Sequence, residues 1–344
     1  MTTTLPASMN ASVLLGKGRL TVEQRPLPAV DPDQVLVRIT AVGVCGSDVH
    51  FYKDGHLGDW VVDSPLVLGH ESGGVIVAVG ADVDPGRVGE RVSIEPQRPT
   101  PTSPETLSGA YNLDPGMEFY ATPGVDGAFQ EYTVIQSHFA HPVPDSVSDD
   151  AAALMEPLSV AIATAQKGKF TVGTRVLITG AGPIGVAIAQ VAKAYGASEI
   201  IVSDVSAERR EQAVRFGASR TIDPLIEDIA SLGLDVDVFA DASGAAAAVR
   251  SGIRTVRPGG IVVLVGMGAD EIPLPIPVIQ NNELVVTGIF RYANTWPLAI
   301  ELVASGKVDL DGMVTGHFGI TEVEAALNST TSPSTLKSVV NPGS

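Results

Sequence analysis

Cysteine is almost absent: Cys45 stands alone in 344 residues, so no intrachain disulfide can form and the chain is not built like a small stapled secreted domain. Basic residues are also scarce. The 22 Lys and Arg against 39 Asp and Glu give a formal charge of −17, the wrong sign for neutralising phosphates, which argues against nucleic acid and anionic membrane as partners. Long apolar runs are missing too. The stretch from Val176 to Ala192 carries no charge, but Gly180, Gly182, Pro183 and Gly185 interrupt it, so it reads as strand, turn and helix rather than a membrane span. The first twenty residues show no basic leader, and the ASVLLG run at 11–16 is too short for a signal sequence. The expected location is the cytoplasm.

What is present fits about two domains. From about residue 11 to 140 the chain runs in short β-rich pieces, Gln34–Thr40, Gly74–Val79 and Phe129–Ile135, separated by Gly, Pro and Asp clusters. Near residue 157 the texture changes. Strand-like Arg175–Thr179, Glu199–Ser203, Val236–Asp241, Ile261–Val265 and Leu284–Ile289 alternate with helical stretches at Ile184–Tyr195 and Ala207–Phe216. That alternation predicts βαβ units and a doubly wound parallel sheet, an α/β unit. The last fifty or so residues, with helices at Trp296–Ser305 and Glu322–Asn328 and a strand at Val314–Ile320, are too few for a third domain and are expected to return to the first. Thr100 to Leu107, TPTSPETL, reads as a solvated loop.

The clearest motif is G-x-G-x-x-G at Gly180, Gly182 and Gly185, directly after an apolar strand and opening a helix. Such glycines allow a tight turn, let backbone approach a pyrophosphate and bring helix close to strand. The second strand then ends at Asp204, whose carboxylate can take the adenosine ribose hydroxyls and repels a 2′-phosphate, so NAD is expected rather than NADP. Arg209 is the complication, since an arginine there can serve a 2′-phosphate, but with Asp204 in place stacking on adenine or covering the ribose side is the expected use.

Cys45 stands in AVGVCGSDVH, His70 and Glu71 follow in LGHESGG, and Glu156 in EPLSVA marks the change of texture. Singly, each has a mundane reading as small core filler, satisfied polar residue or solvated acid. Together, thiolate, imidazole and carboxylate are what a four-coordinate catalytic zinc uses, with one position left for water or substrate.

With these residues the chain resembles the zinc-containing medium-chain dehydrogenases, and within them the sorbitol, xylitol and arabinitol dehydrogenase branch. The likeness runs through CGSDVH at 45–50, LGHESGG at 68–74, YNL at 111–113, ATPGVDGAF at 121–129, EPLSVA at 156–161, TGAGPIG at 179–185 and FRYANTWP at 290–297. It implies a GroES-like β-rich catalytic domain, 1–156 plus 291–344, split around a Rossmann NAD-binding domain at 157–290. It implies Cys45 and His70 as zinc ligands, with Glu71 and Glu156 as further ligands, direct or through water. Ser47 and His50 are then the proton relay. Gly180, Gly182, Pro183, Ile184, Gly185, Asp204 and Arg209 hold NAD at the adenosine and pyrophosphate end. Val265, Gly266 and Met267, with Ile289, Phe290 and Arg291, line its nicotinamide side. Phe51, Glu156, Arg291 and Tyr292 match polyol-contacting positions, and the expected assembly is a homotetramer.

Two departures from the family pattern stand out. Where relatives often carry four cysteines in a structural-zinc lobe, this chain has Thr100, Ser103, Thr106 and Asp114. Hydroxyls cannot replace a sulfur-rich site, so one catalytic zinc and no structural zinc is expected. Phe51 stands where many polyol dehydrogenases have tyrosine, and the adjacent Tyr52, on a strand or loop, is expected to point elsewhere. The competing expectations are a zinc secondary-alcohol, butanediol or threonine dehydrogenase and, from another class, a non-catalytic NAD-binding protein on the same scaffold. His56, His138, His141 and His317 are expected to have no role in the chemistry.

Overall fold

The computed structural model describes residues 5–343. Contacts divide the chain into one unit of Met1–Glu156, Trp296–Ala304 and Leu310–Ser344 and a second of Pro157–Thr295 and Ser305–Asp309.

The first unit is organised on the strand Gln34–Gly43, whose near-continuous apolar sequence suits a strand covered on both faces. It pairs antiparallel with Glu71–Val79, Tyr132–Gln136 and Lys337–Asn341. Arg91–Ile94, Ala140–Pro142 and Val314–Gly319 extend the sheet outward. Val35, Val37, Ile39, Ile76, Ile94 and Phe129 are buried together here, each aliphatic side chain contributing roughly 1.5–3 kcal/mol by leaving water.

The second unit is a six-stranded parallel sheet. Counting Arg175–Thr179, Glu199–Ser203, Arg220–Ile222, Val236–Asp241, Val256–Leu264 and Val285–Gly288 in chain order, their spatial order is third, second, first, fourth, fifth, sixth. That order reverses beside the first strand, the place where such sheets bind dinucleotides. Helix Pro183–Ala194 starts immediately after the glycine loop and buries an alanine- and valine-rich face.

Several expectations change in detail. The strand expected at Phe129–Ile135 forms over Tyr132–Gln136, because the Phe129 carbonyl is taken by Ser12 of another strand and Gln130 makes a lone bridge to Ala11. TPTSPETL is not all loop: Ser103 caps a short helix, Pro104–Leu107, with proline in its favoured first position. The chain returns to the first unit at Trp296 rather than 291. Trp296 is fully buried, donates to Ser93 Oγ at 2.8 Å and stacks on His141, whereas Asp309 exchanges two hydrogen bonds with Gln190 and so stays with the second unit. Among the described residues no helix is long and apolar enough to cross a membrane.

Candidate active site

Strand register assembles the first cluster. Gly43 lies opposite Glu71 in the antiparallel pair, so Cys45, two residues beyond Gly43, and His70, one before Glu71, meet at the same end of the sheet. The ligating atoms of Cys45, His70 and Glu71 lie within 4.8 Å of one another. A side chain at Gly43 would meet Glu71 Oε2 at 2.0 Å, so the backbone there has to be glycine for the carboxylate to fit.

Two residues that the sequence reading passed over hold this trio in place. Asp48, fully buried, accepts from the Cys45 amide at 3.0 Å and the Gly69 amide at 2.9 Å, and lies 3.6 Å from His70 Nδ1. With Nδ1 turned to a carboxylate, Nε2 is the nitrogen left for a metal. Burial opposes the imidazolium, but Asp48 and Cys45 outweigh it and hold His70 well above the usual histidine value. Lys337, 3% exposed, donates to Glu71 Oε1 at 2.5 Å and to the Val44 carbonyl at 2.8 Å. Glu71 Oε2 is left buried with no hydrogen-bond partner, a costly state for a carboxylate oxygen that a metal would relieve. Thiolate, imidazole and carboxylate oxygen form a donor set that fits zinc.

The remaining predicted residues of this unit are placed as follows. Glu156 is buried in the first turn of helix Met155–Lys167 and stands outside the trio. Ser47 is half-buried in the first turn of helix Gly46–Asp54, and His50 is exposed on the same helix with Nδ1 3.0 Å from Asp54. Phe51 is 3% exposed and belongs to the apolar core. Tyr52 lies on this helix rather than on a strand or loop, and its hydroxyl is committed to Glu324. Phe119 packs its ring 5.5 Å from that of His70 and forms an apolar wall beside the trio. His141 has a structural partner in Glu95, at 2.9 Å.

Register also builds the second site. Thr179 pairs with Ser203, so Gly180 and Asp204 leave the sheet side by side at its carboxyl edge. Gly180 has φ +90, and a side chain on Gly185 would lie 1.8 Å from the Gly180 carbonyl. Gly182 caps the helix, Pro183 opens it and Ile184 completes its entry. Asp204 accepts from the Ala181 and Ser206 amides, both at 2.8 Å. A cavity of about 340 Å³ adjoins it, lined by Gly180, Asp204, Val205, Leu225, Ser243 and Ala247 among others. Arg209 reaches over the loop toward Gly182, while Arg210 is tied to the Asp204 carbonyl and to Asp223. Further along the edge, Leu264 pairs with Gly288 and accepts from the Ile289 amide, so that Val265, followed by Gly266 and Met267, and Ile289, followed by Phe290 and Arg291, leave the sheet at the same edge. Arg291 holds φ +56, uncommon for a side-chain-bearing residue, with its guanidinium 4.7 Å from the Phe290 ring centre. Tyr292 is 1% exposed.

The lobe positions Thr100, Ser103, Thr106 and Asp114 also come together, as a polar knot. The Asp114 carboxylate accepts from the Thr100 amide at 2.5 Å and the Gly116 amide at 3.1 Å, and from the Thr100 and Ser103 hydroxyls, while Ser103 Oγ and Thr106 Oγ1 lie 2.9 Å apart.

Residues 31–145 match the alcohol dehydrogenase GroES-like domain, and residues 183–305 match the zinc-binding dehydrogenase domain. The sorbitol dehydrogenase of Bacillus subtilis is 41% identical, with 95% of each chain covered. The D-xylulose reductase of Saccharomyces cerevisiae is 39% identical, with 94% of each covered. The structure of 2R,3R-butanediol dehydrogenase from Bacillus subtilis superposes with a TM-score of 0.90 at 30% identity, over 97% of this chain and 100% of that one. A GroES-like unit, a Rossmann unit and a Cys–His–Glu cluster thus agree with relatives matched over nearly the whole length, and the chain belongs to the zinc-binding medium-chain dehydrogenases, in the group with sorbitol dehydrogenase and D-xylulose reductase: oxidoreductases that act on CH–OH.

Proposed function

We propose that the chain oxidises the secondary hydroxyl of a polyol of the sorbitol or xylitol kind to a ketose, with hydride passing to NAD. The observation that carries this reading is the convergence of Cys45, His70 and Glu71, with Glu71 Oε2 buried and unpartnered. Cys45 Sγ, His70 Nε2 and Glu71 Oε2 would hold zinc, with Glu156 as a further ligand, direct or through water. Zinc, when bound, supplies the Lewis acid that makes the hydroxyl proton easy to remove. Ser47 takes that proton inside and His50, exposed and paired with Asp54, releases it to solvent. Arg291 and Tyr292 are assigned to the other hydroxyls of the polyol; a site made to satisfy such groups rejects analogues lacking them by roughly 10⁴-fold.

NAD rather than NADP is supported by Asp204 at the cavity and by the commitment of Arg210 to Asp223. Each Asp204 oxygen accepts one amide and keeps a lone pair for a ribose hydroxyl. A single zinc per chain is supported by the polar knot, which offers no sulfur at the lobe. A second reading, oxidation of a butanediol or simple secondary alcohol, is favoured by the likeness to butanediol dehydrogenase.

The test is NAD reduction by the zinc-loaded protein over a panel of polyols and simple secondary alcohols. Polyol-dependent NADH formation, lost in Cys45→Ser with folding retained, is the expected result. Activity confined to simple alcohols selects the second reading, and unchanged turnover in Cys45→Ser overturns both in favour of a different centre.

A further inference from the structure

Lys337 opens the strand Lys337–Asn341, which pairs with Gln34–Gly43 and sets its ammonium beneath the metal cluster. Only 3% of Lys337 is exposed, and its ammonium is paired directly with the buried Glu71 carboxylate. An ammonium is a compact point donor. Here it engages Glu71 Oε1 and the Val44 carbonyl and leaves Oε2 buried with no partner, in space that exists because residue 43 is glycine. A guanidinium in the same place would act as a planar fork and take both carboxylate oxygens.

Charge leads to the same residue. A thiolate and a carboxylate cancel the two positive charges of zinc, buried Asp48 and Glu156 add further negative charge, and the ammonium on Glu71 offsets part of it. We propose that Lys337 is a positioning residue of the metal centre, fixing Glu71 as a single-oxygen ligand and offsetting one of the negative charges gathered there. This rests on the zinc reading above.

Two substitutions push the metal in opposite directions. Lys337→Arg competes for Oε2 and is expected to release zinc to an excess of chelator at least about tenfold faster than the wild type, the scale on which groups that orient metal ligands act. Lys337→Met frees both Glu71 oxygens and removes a repelling charge. It is expected to release zinc more slowly than the wild type while kcat falls and KM for the polyol stays, because the centre becomes a weaker Lewis acid. A merely structural lysine predicts faster release in both variants, and that result overturns the proposal, as does an arginine variant that matches the wild type. If the methionine variant does not fold, Lys337→Gln, which keeps a hydrogen-bond donor and loses the charge, takes its place and is likewise expected to release zinc more slowly than the wild type; faster release overturns the proposal. A wild type that binds no zinc overturns the zinc reading itself, and this proposal with it.

Discussion

Asp48 shows how much of the proposed metal site rests on one side chain outside the ligand trio. Its carboxylate closes the N-terminus of helix Gly46–Asp54, takes the Gly69 amide and faces His70 Nδ1, so it fixes the two chain segments that carry Cys45 and His70. Asp48→Asn keeps the volume and loses the charge. It is expected to weaken zinc binding 10- to 100-fold in chelator competition, and zinc affinity equal to wild type would show that His70 is oriented by other means. Asp204→Ala removes the acceptor at the cavity and is expected to lower the kcat/KM preference for NAD over NADP; a wild type that already prefers NADP contradicts the ribose argument. The glycine loop and Asp204 were legible because their contacts are local in sequence. Asp48 carried a weak local signal, an acid three residues after the helix cap. Lys337 carried none, since its partner Glu71 is 266 residues away and nothing in a run of amino acids announces a pairing at that distance.

At the scale of elements, the glycine loop and the lobe make opposite demands. The loop needs bare backbone: Gly185→Ala sets a methyl 1.8 Å from the Gly180 carbonyl, so NAD affinity measured by fluorescence titration should fall at least tenfold, and unchanged affinity would mean that the helix can shift without cost. The lobe needs polar groups. Burial pushes the Asp114 carboxyl up, but the Thr100 and Gly116 amides and the Thr100 and Ser103 hydroxyls outweigh it and hold it below its ordinary value of 3.8. A depressed folded-state pKa stabilises fully above the unfolded value and is lost as pH falls through the folded one. Protease cleavage within residues 100–116 is therefore expected to be slow and insensitive to chelator near neutral pH, and to accelerate below about pH 4 in the wild type and at all pH values in Asp114→Ala. Acceleration by chelator would instead reveal a metal in the lobe. The absence of cysteine there was plain in the sequence. The knot that takes its place was not, because TPTSPETL has the composition of any solvated loop and its closing partner lies beyond it at Asp114.

At the scale of the whole molecule, the order of strands follows from texture: apolar runs alternating with helical stretches after residue 157 could hardly fold otherwise than as parallel βαβ units. The point of return was less legible, since it depends on where Trp296 inserts rather than on any change in composition. Trp296→Ala opens a cavity in the first unit and orphans Ser93 Oγ, and is expected to cost about 3–5 kcal/mol in urea unfolding. A loss under 1 kcal/mol would show that the residue does not anchor the returning chain. Val285–Gly288 forms an open edge of the parallel sheet with Val285 exposed, and pairing of two such edges across a two-fold axis is a route to the proposed homotetramer, which light scattering after size exclusion tests. In the proposed function one zinc, held by Cys45, His70 and Glu71, serves the chemistry. Anomalous diffraction at the zinc absorption edge from crystals of the zinc-loaded protein measures it most directly. A single peak per chain is expected, between Cys45 Sγ, His70 Nε2 and Glu71 Oε2; a peak within residues 100–114, or none at the trio, would overturn the single-zinc site.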